Sequence, residues 1–171
     1  MSSTHPDTGA RTAPVPSPRK AGGHRGGSVD PGGGGQAIEV SAVCLFDESG
    51  RVLTVRKRGT TKWMLVGGKP EPGETARQCA LREVAEELGI LLDGSLLRGL
   101  GTFTTTAANE GVPLTAHVFR TGQRVEPRVC AELEELRWVD PGDPGADQAP
   151  LNTDLVFPLL VAERQRRSRR G

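Results

Sequence analysis

The sequence predicts an α/β domain, a mixed sheet with one helix in its middle and one at its end. Three observations predict it. Strand-like runs rich in β-branched residues recur at 37–46, 52–58, 63–66, 97–106, 114–121 and 133–139. Residues 75–89 carry an apolar repeat of helical period between a start signal and a stop signal. A second helical stretch, 152–167, closes the chain.

The elements follow in order. Residues 1–36 hold 9 of the 23 glycines and 5 of the 13 prolines, with no Leu, Ile or Phe. Such a segment buries too little surface to offset its ordering entropy, so a disordered tail is expected there. The domain is expected over 37–162, followed by a basic tail at 163–171. Ala37–Phe46 and Val52–Arg58 flank the turn-rich quartet Asp47–Gly50, which predicts a hairpin. Trp63–Val66 is expected as a short third strand entering a loop with Gly67, Gly68, Pro70, Pro72 and Gly73. Thr75 with Gln78 three residues on reads as a capping box, and Gly89 stops the helix. Leu97–Thr106, Leu114–Thr121 and Leu133–Val139 complete the strands. Pro158 fits only in or just after the first turn of the last helix, which sets the start of that helix near Asn152.

Charge is divided unevenly along the chain. Residues 37–162 hold 13 basic and 18 acidic residues, between ends that are both net basic. An acidic domain does not suit a nucleic-acid-reading surface, and the arginines after 163 suit a solvated helix end. The tail lacks the apolar run of a signal peptide and no segment is long enough to span a bilayer, so a cytoplasmic protein without a membrane partner is expected. The oligomeric state is left open. Cys44, Cys79 and Cys130 are odd in number and lack finger spacing. Free thiols are expected, two in the sheet and one on the helix.

The chemistry concentrates in residues 68–90, GKPEPGETARQCALREVAEELGI. At about 100° per residue from Glu83, Glu86 falls near 300° and Glu87 near 40°, which puts three carboxylates on one helix face. Like charges at that spacing are unfavourable unless a cation sits against them. A solvated helix face accounts for REVAEELG alone, but not for Gly68 and Glu74 at fixed distances before it. Carboxylates in this array suit a hard ion such as Mg²⁺, with Mn²⁺ as the alternative. Arg82, at about 260° on the same wheel, reaches back toward Glu74.

Gly68, Glu74, Arg82, Glu83, Val84, Glu86, Glu87, Gly89 and Ile90 fill nine fixed positions over 23 residues. With that spacing the chain resembles the Nudix hydrolase family over about residues 37–162. The resemblance implies an α/β/α sandwich and a metal-dependent hydrolase of a nucleotide pyrophosphate bond. MutT-like members, which release a nucleoside monophosphate and pyrophosphate from a triphosphate that is often an oxidised purine, are the nearest in pattern. An ADP-ribose or nucleotide-sugar pyrophosphatase, or a non-catalytic nucleotide sensor, is the alternative. The resemblance further implies metal ligation by Glu83, Glu86, Glu87 and the Gly67 carbonyl, with Glu74 supporting them. Glu132, ahead of the last strand, is the expected extra ligand or general base.

Arg56, Lys57, Arg58 and Lys62 follow the second strand, and of these Arg56 and Arg58, with Lys69, are carried forward as phosphate contacts. Strand-end cations that are simply exposed are the alternative. Asn152, five residues before Phe157-Pro158-Leu159-Leu160, resembles the base-reading position of oxidised-purine triphosphatases. Its amide would pair with a purine edge, or Asn152 or Asp154 would cap the last helix. Val66 departs from the family, where Pro is frequent. Valine extends the third strand by one residue and turns the Gly67 carbonyl.

Overall fold

The computed structural model describes residues 37–171, and the tail expected for 1–36 lies outside them. Among the described residues the order is β1 (Ile38–Cys44), β2 (Val52–Lys57), β3 (Val66–Gly68), α1 (Ala76–Leu88), β4 (Arg98–Thr106), β5 (Pro113–Arg120), β6 (Leu133–Val139) and α2 (Phe157–Ser168). Four strands form a mixed sheet in the order β3-β1-β5-β4, with β1 and β5 parallel and the outer pairs antiparallel. β2 and β6 form a separate antiparallel pair.

Strand alternation sends successive side chains of β1 to opposite faces. Val43 packs with Ala80, Val84 and Leu88 of α1, whereas Ala42 and Cys44 pack with Phe157 and Leu160 of α2. The mixed sheet is therefore covered on both faces, an α/β/α sandwich.

β1 and β2 are not a hairpin. The turn between them exists, with Asp47 accepting from the N–H groups of Ser49 and Arg51 at 2.9 Å each. β1, however, spends both its edges on β3 and β5, so only the single bridge Phe46–Val52 links it to β2. The expected strand at 63–66 is displaced. Trp63 and Met64 make isolated bridges to Gln148 and Val55, and the ladder with β1 is Val66–Gly68. Strand structure thus begins at Val66 and continues past it to Gly68.

α1 begins as its sequence dictates. The Thr75 hydroxyl accepts from the Gln78 N–H at 3.3 Å, and the Gln78 amide accepts from the Thr75 N–H at 2.9 Å. Gly89 closes the helix at φ 67°, and its N–H donates to the Ala85 carbonyl. The last helix departs from expectation at its start. Residues Leu151–Val156 form a wide π-helical turn that runs into α2, Pro158 sits in the first turn of α2, and no side chain caps the segment. The nine residues set apart by charge continue the helix as far as Ser168.

All three cysteines are free. Cys44 lies in β1 and Cys79 in α1, but Cys130 lies in the loop before β6 and not in the sheet. Burial pushes the Cys44 thiol up to about 12 and raises that of Cys79, which suits inert core residues. No helix among the described residues is long and apolar enough to cross a membrane.

Candidate active site

Arg82 is the hub of the helix face. Its Nε and Nη2 fork onto the two Glu74 oxygens at 3.0 and 2.9 Å, and Nη2 also donates to the Lys69 carbonyl at 3.1 Å. Its Nη1 reaches Glu83 Oε1 at 2.9 Å and Glu86 Oε2 at 3.0 Å. The hydrogen bonds from Arg82, with that from the Glu71 N–H, hold the Glu74 carboxyl below the usual carboxylate range. One guanidinium thus ties the Gly-Pro loop to the helix and offsets the repulsion that the sequence builds in.

The three glutamates are not equally placed. The Glu86 side chain is 55% exposed, Glu83 12% and Glu87 only 2%. The wheel explains it, since at about 40° Glu87 lies beside Ala80 at about 60° and nearer to buried Val84 than its partners are. Burial raises the Glu87 pKa, against the pull of Lys57. Its Oε2 accepts from the Gly67 N–H at 3.3 Å. Its Oε1 lies 2.9 Å from Lys57 Nζ but outside hydrogen-bond angles, so it has a charge beside it and no donor aimed at it.

Two glycines permit this closeness. Gly67 has φ 154°, and a Cβ there would lie 2.0 Å from the Ser41 carbonyl oxygen; a Cβ on Gly68 would lie 2.4 Å from Glu83 Oε1. Gly67 meets the helix face through its N–H, which donates to Glu87.

Lys57 closes the other side. Its Nζ is 2.9 Å from both Glu87 Oε1 and Glu132 Oε1. Burial alone would lower its pKa, but the two carboxylates override that and raise it, and Lys57 in turn holds Glu132 low. Sequence reading passed over Lys57 in favour of its neighbours. Strand alternation was the available signal, because 56 and 58 share one face and 57 takes the other. Arg56 turns away to Glu134 at 3.0 Å and Glu135 at 3.2 Å, with its guanidinium 5.7 Å from the Trp63 ring centroid. Arg58 is exposed.

Of these groups Lys57, Gly67, Lys69, Arg82, Glu83 and Glu132 line a cavity of about 550 Å³, whereas Glu74, Glu86 and Glu87 do not. Ile38, Val40, Met64 and Leu114 also line it, and so does Asn152, whereas neither Arg56 nor Arg58 does. A more open groove of about 840 Å³ beside the Asp47 turn shares none of these residues. Asn152 is fully buried, so it caps nothing at a helix mouth. Its Nδ2 donates to the Trp63 carbonyl at 3.3 Å and to Gln148 Oε1 at 2.9 Å, while Oδ1 has no partner. The two acceptors fix the orientation of the amide and spend both its hydrogens.

The chain matches the NUDIX domain over residues 35–160. It belongs to the Nudix hydrolase family. It is 33% identical over 127 residues to an oxidized purine nucleoside triphosphate hydrolase of Danio rerio, covering 71% of this chain and 78% of that protein. It is 31% identical over 123 residues to an isopentenyl-diphosphate Delta-isomerase of Nocardia farcinica, covering 64% of this chain and 67% of the isomerase. The solved MutT protein of Methanosarcina mazei Go1 has the same fold, with a TM-score of 0.64 at 24% identity over 75% of this chain and 95% of its own.

Nudix hydrolases generally use divalent metal ions. The donor set in this Nudix hydrolase fits one: carboxylate oxygens throughout, with the buried Glu87 Oε1 lacking a donor. Among the described residues no three His, Cys, Asp or Glu side chains converge closely enough to hold an ion. Arg82 and Lys57 stand on the oxygens that would do so.

Proposed function

We propose that this Nudix hydrolase cleaves a nucleoside triphosphate to a monophosphate and pyrophosphate, with a guanine-type base, oxidised or not, preferred. The observation that carries the reading is one cavity lined both by Lys57, Arg82, Glu83 and Glu132 and by Asn152, whose buried Oδ1 has no partner. The relative named as an oxidized purine nucleoside triphosphate hydrolase supports it.

The charged side chains receive the phosphates and the apolar ones flank the base. Glu83, Glu86 and Glu87 would hold a divalent cation, Mg²⁺ in this reading, which supplies Lewis-acid charge to diphosphate oxygens when bound. Arg82 keeps those carboxylates in register with Glu74, and Lys69 adds a cation at the cavity wall. Glu132 takes the proton of the attacking water. Asn152 has only an acceptor to offer, so it selects a base edge that donates, such as the N1–H and 2-amino group of guanine. An amide that both donates and accepts to the base, the wider pairing the sequence allows, does not agree with its hydrogen bonds.

The test is a chromatographic hydrolysis assay with Mg²⁺ on 8-oxo-dGTP, dGTP, dCTP and ADP-ribose. The expected kcat/KM is at least about tenfold higher for the better guanine nucleotide than for dCTP. Preferred hydrolysis of ADP-ribose, or no turnover at all, would overturn the reading.

A further inference from the structure

Two backbone irregularities within residues 131–134 lie opposite Lys57. The β2–β6 ladder pairs Arg56 with Glu135 and then Lys57 with Leu133, which leaves Glu134 as an extra residue. Such a bulge re-aims the side chains of its own strand, and here it lets both Glu134 and Glu135 reach Arg56 on one face of β2, while Lys57 on the other face meets Glu87 and Glu132. Across the ladder, Ala131 is the one non-glycine residue with positive φ among the described residues, at 50°, and it directly precedes Glu132. Alanine adopts that conformation only where its surroundings impose it. The Glu132 carbonyl is also pinned by the Arg58 N–H at 3.0 Å.

The result is an ammonium between two carboxylates, one of them 2% exposed. Glu132, 67% exposed, needs no partner for its own hydration. A buried carboxylate such as Glu87 does need one. We propose that Lys57 is a resident counter-ion that stands in the cation position between Glu87 and Glu132, and that a divalent metal ion binding Glu87 must displace it. The proposal rests on the metal-dependent reading above.

An ammonium and a divalent ion cannot share the same carboxylate oxygen without strong repulsion at close range. Arg82 faces the same competition but keeps Glu74 and the Lys69 carbonyl when its Nη1 contacts are lost. Lys57 has only the two carboxylates as side-chain partners, so displacement frees its ammonium altogether. Lys57 is thus a positioning residue: it keeps Glu87 neutralised and Glu132 aligned until metal arrives, and it weakens metal binding by competing for Glu87.

The test is Mn²⁺ affinity, measured by calorimetry on the full chain without nucleotide. Lys57→Met is expected to tighten Mn²⁺ binding about tenfold, and Lys57→Arg to restore wild-type affinity. Unchanged or weaker binding by a Lys57→Met protein with wild-type circular dichroism overturns the proposal and leaves the metal reading standing. Absence of Mn²⁺ binding by wild type and both variants overturns the two together. A second measurement needs no variant: reductive methylation of Lys57 in the wild type, with Lys62 as the internal reference, is expected to accelerate on saturation with Mn²⁺. A rate that stays constant or falls overturns displacement.

Discussion

The helix face and the wall opposite it were built in different ways. Glu74, Arg82, Glu83, Glu86 and Glu87 lie within fourteen residues, on a loop and helix whose spacing the peptide geometry dictates. Lys57, Glu132 and Asn152 come from β2, the loop before β6 and the π-helical turn before α2, and only tertiary structure brings them to one cavity. The first region carries charge that tolerates little change. The second tunes that charge and shapes what fits beside it. Mutations should therefore differ in kind as well as in size between the two.

The largest effect is expected on the helix. Glu87→Gln keeps the shape of a 2% exposed side chain and removes its charge, so kcat should fall about 10²-fold or more. Folding should survive, because an amide is cheaper to bury than a carboxylate and the Gly67 N–H still finds an oxygen. Chelation of divalent ions should abolish turnover of the wild type while leaving its circular dichroism intact. Full activity in Glu83→Gln, Glu86→Gln and Glu87→Gln alike would erase the distinction between the two regions.

On the wall, Glu132→Gln is expected to lower kcat about 10²-fold with little change in KM, as loss of a general base would. Equal losses in kcat and in Mn²⁺ affinity would instead move Glu132 to the metal side of the site.

What was legible in the sequence follows the same division. The capping box at Thr75, the stop at Gly89 and the Arg82–Glu74 contact were readable because they depend on residues a few positions apart. The hairpin was not, because the pairing of β1 depends on β5, some seventy residues away. Burial of Glu87 needed the neighbours of α1 as well as its wheel. Asn152 was found by its place before a Phe-Pro-Leu-Leu run, yet its orientation is set by the Trp63 carbonyl and Gln148.

Asn152→Ala sharpens the wall further. It should reduce kcat/KM for guanine nucleotides about tenfold relative to dCTP, with the ratio serving as its own control for stability. Stability should fall by about 1–3 kcal/mol, since Gln148 Oε1 is left buried without its donor. An equal loss on both substrates would assign Asn152 to packing alone.

The smallest effects are expected beside Lys57, where the sequence pointed to phosphate contacts. Arg58 is exposed and lines no part of the cavity, so Arg58→Ala should change kcat/KM less than about twofold. Arg56 has partners, but they are structural: Glu134, Glu135 and the ring of Trp63, whose other neighbour is Arg137 at 4.0 Å from the centroid. Arg56→Ala should therefore cost about 1 kcal/mol of stability, read by urea denaturation, while kcat/KM stays within about twofold of wild type. A tenfold or greater rise in KM for either variant would mean that β2 presents its cations to substrate from the face opposite Lys57. Both faces at the end of β2 would then serve the phosphates, and the alternation of Arg56 and Lys57 would not divide a structural arginine from an active-site lysine.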